Sequence, residues 1–232
     1  MKRKFIAYLL SASLLLTGVM VPTFASEAKK PAPIADLTLM VGPPPSQDSD
    51  QTKAELKEIK HYQDTRTKEQ EAYAKADMDK NIFRFQNVMG DKFTAENLPL
   101  TAALFDKAVK VAKDTMDPVK DLYKRPRPYD YDPTVKPCVG LEKSFSYPSG
   151  HATAGTMMAI LLANMVPEKK EAILKRGGEF ALNRVIGGVH YRSDIEEGRI
   201  TGSVIAELLL KDKKFAKEFA AAKAELRTAL GY

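Results

Sequence analysis

Tyr147-Pro148-Ser149-Gly150-His151 runs directly into a strongly apolar segment that continues to Val166 and contains Met157, Met158, Leu161 and Leu162. The Pro-Ser-Gly turn is a helix start, and the segment behind it is predicted to be a helix over residues 151–166. Gly155 and several alanines give that helix a thin face on which a second helix can pack closely. Such a second helix follows: Pro167 opens a stretch carrying Ile173, Leu174, Phe180, Ala181 and Val185, and Gly187-Gly188 stops it. Ser193-Asp194-Ile195-Glu196 has the form of a capping box and starts a third helix, through residue 210. Residues 213–230 are charged and Ala-rich, an amphipathic fourth.

Upstream, Leu104, Ala108 and Val111 follow Pro99 at the i, i+4, i+7 spacing of a core-facing helix. Asp117-Pro118 reads as the cap and first turn of another helix, which carries Lys120 and is ended by Pro126 and Pro128. A loop rich in Pro, Tyr and Asp then spans residues 129–147. Residues 82–89 with Gly90 behind them form a short helix with a C-terminal stop. Thr52-Lys53-Ala54-Glu55 is a capping box at the head of two surface helices reaching to about residue 78, with His61 as a solvated surface histidine. No alternating strand pattern and no internal repeat interrupts this series. The expected fold is an all-α helical bundle.

The totals bound the rest. At 232 residues and 44% hydrophobic, the chain has enough apolar sequence for one core of ordinary size. Lys2-Arg3-Lys4, the apolar run over residues 5–21 and Thr23-Phe24-Ala25 read as a secretory signal, residues 1–25, cleaved after Ala25. An uncleaved anchor is the competing reading, since the run approaches the length of a short span, and the small-residue exit favours removal. Residues 26–49, with Pro31, Pro33 and Pro43-Pro44-Pro45, form an extended arm on a single domain of residues 50–232. Removing the signal takes three basic residues and no acidic one, so the formal charge falls from +6 to +3. An excess that small does not argue for nucleic acid as a partner. Cys138 is the only cysteine, so an exported chain has no internal disulfide and depends on packing. The expected location is periplasmic or secreted, free of the membrane once the signal is gone.

Two of the three histidines, His151 and His190, fall at the helix boundaries just described, where backbone N–H groups are free to meet anions. Arg127 and Arg184 are always charged and offer planar forks to two oxygens, and Lys120 adds a third cation. Ser149 and Gly150 supply a hydroxyl, a helix start and close backbone approach. A neutral imidazole held by a carboxylate has its other nitrogen free to attack phosphorus, and Asp194 lies four residues after His190. The two histidines lack a matching carboxylate cluster, a poor metal site, so no metal or other cofactor is expected.

Lys120, six residues, Arg127-Pro128; then Pro148-Ser149-Gly150-His151; then Arg184, five residues, His190, three residues, Asp194: this order resembles the signature of the type 2 phosphatidic acid phosphatase superfamily, which also contains the vanadium haloperoxidases. Arg125-Pro126 is a second Arg-Pro pair, but Pro118 stands seven residues before it, so Arg127 sets the register. A soluble exported chain with a Pro-rich arm is similar, within that superfamily, to the bacterial class A non-specific acid phosphatases. The chain departs from the pattern at Asn183, where the family usually has Ser.

The resemblance implies a helical bundle of the superfamily type and a metal-independent acid phosphatase of broad specificity. Nucleotides, sugar phosphates and aryl phosphates would be substrates, and self-association is implied by the family alone. It also implies that Lys120, Arg127 and Arg184 bind the phosphoryl oxygens with help from Ser149 and Gly150. His190, oriented by Asp194, would be the nucleophile and His151 the general acid. Three alternatives stand beside this. A lipid phosphate phosphatase of the superfamily usually carries its motifs on membrane-spanning helices, for which this chain is too charged between its apolar runs. A vanadium-dependent haloperoxidase shares the anion pocket on a typically longer chain. A non-catalytic phosphate- or vanadate-binding protein would need neither histidine nor Asp194.

Overall fold

The computed structural model describes residues 33–232, so the secretory-signal reading and the start of the Pro-rich arm lie outside the described residues. Regular structure within them is helical throughout. Two helices open the domain, α1 (Asp50–Thr65) and α2 (Lys68–Ala76). The α1 cap is Ser49, whose hydroxyl accepts from the Thr52 N–H, so the expected capping box at Thr52 begins one turn too late. A better hydroxyl lay just upstream, and it uses the chain reversal after Pro45. The true box is at Thr67 and Gln70, at the head of α2. Residues 82–89 split into a 3-10 turn, Ile82–Phe85, and α3 (Gln86–Met89), which ends at Gly90 with φ of 100°.

Helix α4 (Pro99–Tyr123) is continuous, so no new helix begins at Asp117-Pro118. Pro118 costs one backbone hydrogen bond, but it sits on the exposed face. Thr115, Met116, Val119 and Lys120 stay in helical register on the buried side, and their packing outweighs the lost bond. The N-terminus of α4 has no local side-chain cap. Glu225, far along the chain, instead accepts from the Leu100 N–H (3.0 Å) and the Thr101 N–H (2.8 Å). Lys124 ends the helix in the left-handed conformation (φ 47°), turning the chain into Arg125-Pro126-Arg127. A short helix, α5 (Pro128–Tyr131), occupies the first part of what reads as loop, because Pro128 is well suited to a first helical position.

Then come α6 (Gly150–Met165), α7 (Lys170–Ile186), α8 (Arg192–Lys211) and α9 (Lys213–Leu230). Helix α6 is buried on nearly every face, which is what an apolar run without polar periodicity requires. Its neighbours α7 and α8 come close because glycines face it. A Cβ on Gly177 would lie 2.6 Å from the Ala159 Cβ, and one on Gly198 would lie 2.6 Å from the Ser149 carbonyl oxygen. Replacing Gly198 by alanine should therefore force α6 and α8 apart and lower stability by about 1–3 kcal/mol, read by urea denaturation. A cost below experimental error would show that the contact yields freely.

The described arm residues lie along α4: Leu37 and Val41 are buried, and the Tyr123 hydroxyl donates to the Val41 carbonyl (2.6 Å). Among the described residues no helix is long and apolar enough to cross a membrane.

Candidate active site

The spacing from Arg184 to Asp194 is a consequence of how two helices are joined. Arg184 lies in the last turn of α7. The Val189 N–H donates to the Arg184 carbonyl (3.1 Å) and the Gly188 N–H to the Val185 carbonyl (2.9 Å), a Schellman closure with Gly188 at φ 78°. His190 and Tyr191 then bridge to α8, which starts at Arg192, one residue before the expected Ser193 cap. Asp194 is the third residue of that helix. Its carboxylate reaches back to the Tyr191 N–H (2.9 Å) and the His190 ring nitrogen Nδ1 (3.1 Å). The acid satisfies a free helix-terminal donor and orients an imidazole at once.

That geometry sets the tautomer of His190. A carboxylate only accepts, so Nδ1 carries the proton and Nε2 presents its lone pair, 3.2 Å from a donor nitrogen of Arg127. Burial, reinforced by Arg127, Lys120 and Arg184, holds this ring well below the usual histidine range and therefore neutral. His151, in the first turn of α6, is fixed the other way round. Its Nε2 lies 2.9 Å from the Met78 carbonyl and so bears a proton, while Nδ1 faces the Glu142 carboxylate at 3.4 Å. Burial, then Arg184 and Lys80, push this ring down to about 3 against the opposing pull of Glu142 and the Met78 carbonyl. Both imidazoles are neutral in the bare site.

The cations are buried and held by backbone. Arg127 donates to the Ser144 carbonyl (2.8 Å) and the Val189 carbonyl (3.0 Å). Among the described residues Arg184 hydrogen-bonds Glu142 alone (2.9 Å), and its Nε and second terminal nitrogen are buried without a protein acceptor. Buried guanidinium donors of this kind suit an anionic acceptor. Lys120 points at the Phe145 carbonyl (2.5 Å), and burial, with Arg127 adding, pushes its ammonium down to about 7. Ser149 is spent on structure: its hydroxyl caps the Ala152 N–H and its own N–H donates to the Asp194 carbonyl (2.9 Å). This last bond ties the start of α6 to the start of α8. Gly150 lines a cavity of about 290 Å³ together with Lys80, Lys120 and Glu142. All eight residues expected from the sequence thus converge where α4, α6, α7 and α8 end or begin.

Several partners were not legible in the sequence. Arg125 donates to Asp194 (2.7 Å), Ser193 (2.8 Å) and Glu55 (3.1 Å) and stacks 3.9 Å from the Tyr191 ring centre. Ser146 donates to Asp194 (2.5 Å). The sequence carries no local signal for Arg125, since an Arg-Pro pair by itself reads as a helix end. Asn183, where the family usually has Ser, donates to the buried Asp77 (2.7 Å), which also takes Arg176 (2.5 Å) and Arg84 (3.1 Å). It thereby steadies the segment that carries the Met78 carbonyl. Among the described residues no group of three or more His, Cys, Asp or Glu side chains could hold a metal ion.

Buried cations around two imidazoles, one of them held by a carboxylate, make a pocket suited to a tetrahedral oxyanion. Residues 100–217, about half of the chain, match the PAP2 superfamily, and the chain belongs to it. It is 36% identical to an acid phosphatase of Zymomonas mobilis over 57% of this chain and 52% of that one. With a non-specific acid phosphatase of Providencia stuartii it shares 33% identity over 61% of this chain and 59% of the other. The chain thus spans somewhat over half the length of these curated relatives. A transmembrane PAP2 type phosphatidylglycerolphosphate phosphatase from Bacillus subtilis aligns at 18% identity, covering 70% of this chain and 86% of its own, with a TM-score of 0.46.

Proposed function

We propose that this protein is an exported, metal-independent acid phosphatase that hydrolyses small phosphate monoesters through a phosphohistidine on His190. The observation that carries the proposal is the orientation of His190, with Nδ1–H on Asp194 and an unprotonated Nε2 facing Arg127. The Nε2 lone pair forms the N–P bond as the P–O bond to the leaving group breaks, and the Nδ1–H proton of His151 passes to the departing oxygen. Water then attacks phosphorus, His151 takes its proton, and the N–P bond breaks with its electrons returning to Nε2. Arg127, Arg184 and Lys120 neutralise the equatorial oxygens, the role that metal ions fill in other phosphoryl-transfer sites.

His151 is neutral in the bare site, so the proton it donates arrives with substrate. A monoester below about pH 6 is largely the monoanion and carries that proton in. This is a physical reason for an acidic optimum. The defining experiment is hydrolysis of an aryl phosphate across pH with a chelator present. Chelator-resistant turnover with a bell-shaped profile supports the proposal, and inactivity on several monoesters refutes it.

Lys120 supplies a separate pH prediction. Its ammonium, depressed to about 7, is charged below that pH and loses its charge above it. Sulfate keeps its charge over this range, so competitive inhibition by sulfate should weaken severalfold between pH 6 and 8. Lys120→Arg, charged throughout, should remove that dependence. Equal pH dependence in both proteins would assign the effect to another group.

A further inference from the structure

We infer that the Glu142 carboxylate is a built-in competitor for the phosphoryl site, occupying it in the resting protein and yielding to the incoming phosphoryl group; the inference rests on the proposed anion site. The Glu142 Oε2 accepts from Arg127 (3.0 Å), and Oε1 accepts from Arg184 (2.9 Å) and lies 3.4 Å from the His151 Nδ1. Those are three of the groups assigned above to the phosphoryl oxygens and the leaving oxygen. A phosphoryl group and this carboxylate cannot hold the same donors at once.

The structure also indicates which side gives way. Arg127 and Arg184 are almost wholly buried, and Arg127 is anchored by two backbone carbonyls. Glu142 belongs to the segment between α5 and α6, where Leu141, Lys143, Ser144 and Phe145 are exposed. Its backbone is pinned, because the Glu142 N–H donates to the Tyr129 hydroxyl (3.2 Å) and that hydroxyl donates to the Glu142 carbonyl (3.0 Å). The movable part is the side chain. It borders the same cavity as Lys80, a half-buried cation with no ion pair among the described residues, which can receive the displaced carboxylate.

Burial by itself would push the Glu142 carboxyl up, but the surrounding His151, Arg127, His190 and Arg184 draw it down to about 2, and with both imidazoles neutral at working pH the two guanidiniums supply the opposing charge. It is therefore an anion across the working pH range, and the cradle is never without a counter-charge. Phosphate binding becomes an exchange of one anion for another. A latch closed for about nine-tenths of the time raises the apparent Kd of every ligand of the cradle about tenfold, substrate and product alike. The same exchange helps expel inorganic phosphate after turnover.

Calorimetric titration of inorganic phosphate at pH 7 tests this directly, comparing the parent with Glu142→Gln, Glu142→Ala and the same-segment control Leu141→Ala. Phosphate should bind about tenfold more tightly to both Glu142 variants, with no change in the control. The phosphate-free Glu142 variants should also melt lower than the parent, because Arg127, Arg184 and Lys120 then repel without a counter-ion, and phosphate should raise their Tm more than it raises the parent's. Equal or weaker phosphate binding in the folded Glu142 variants overturns the inference, as does an absence of phosphate binding in all four proteins. Tighter binding in a protein that hydrolyses no monoester would leave the latch standing and refute the proposed reaction.

Discussion

Replacement of His190 by alanine is expected to lower kcat for aryl phosphate hydrolysis by about 10⁴-fold or more while leaving a helical, cooperatively melting protein. The size of the loss follows from the chemistry assigned to Nε2. Without it no N–P bond forms, and the cations that remain can only bind and polarise the ester. The step can be seen as well as inferred. Brief mixing with a monoester labelled in its phosphoryl group, followed by quenching in alkali, where an N–P bond survives, should leave label on the parent chain and none on the variant. Residual turnover within tenfold of the parent would sink the phosphohistidine route. So would label that stays on the variant.

The second large effect belongs to a residue outside the signature. Arg125 is buried between Asp194 and Glu55, two carboxylates that are themselves buried. Arg125→Met keeps the packing volume against Tyr191 but leaves both acids without their cation. Breaking a buried pair in this way costs about 3–5 kcal/mol, because an uncompensated charge stays behind. That is a large share of the stability of an ordinary domain. Activity should fall too, since the carboxylate that orients His190 loses the guanidinium that donates to its other oxygen. Urea denaturation and kcat measured on the same preparation check both parts. A stability cost below 1 kcal/mol would mean that Asp194 and Glu55 find other partners. Arg125→Lys should fall between, retaining charge but not the fork that spans both acids.

Most of the fold was legible because its elements carry unambiguous local signals. The apolar run after His151, the Gly187-Gly188 stop and the Ala-rich final helix all have period, start and stop in the sequence, and α9 begins and ends where that pattern does. Errors fell where a distant partner overrode a local rule. Pro118 reads as a helix boundary until the buried face of α4 is seen to continue through it. Ser193 reads as a cap until its N–H and hydroxyl are found donating to Glu55 of α1, and the helix starts instead at Arg192. The N-terminus of α4 is satisfied by Glu225, a partner no local window contains.

The site divides the same way. Lys120, Arg127, His151, Arg184, His190 and Asp194 stand at fixed spacings because each spacing is a piece of local geometry, such as the Schellman closure between Arg184 and His190. Glu142, Ser146, Asp77 and Arg125 have no such rhythm. Their roles come from where the long connection after α5 and the first two helices fold back. A lone glutamate in a Pro- and Tyr-rich segment carries no local mark of the two arginines it meets.

The bond from the Ser149 N–H to the Asp194 carbonyl, with Gly198 pressed against the Ser149 carbonyl, makes the two imidazole-bearing helix starts one mechanical part. The exposed stretch around Glu142 lies beside it, held by Tyr129, Arg127 and Lys120. A chassis and an exposed rim result. Transplanting residues between α5 and Ser146 from a differently tuned relative should change which leaving groups are admitted and how tightly phosphate is held, while the paired helix starts keep their alignment.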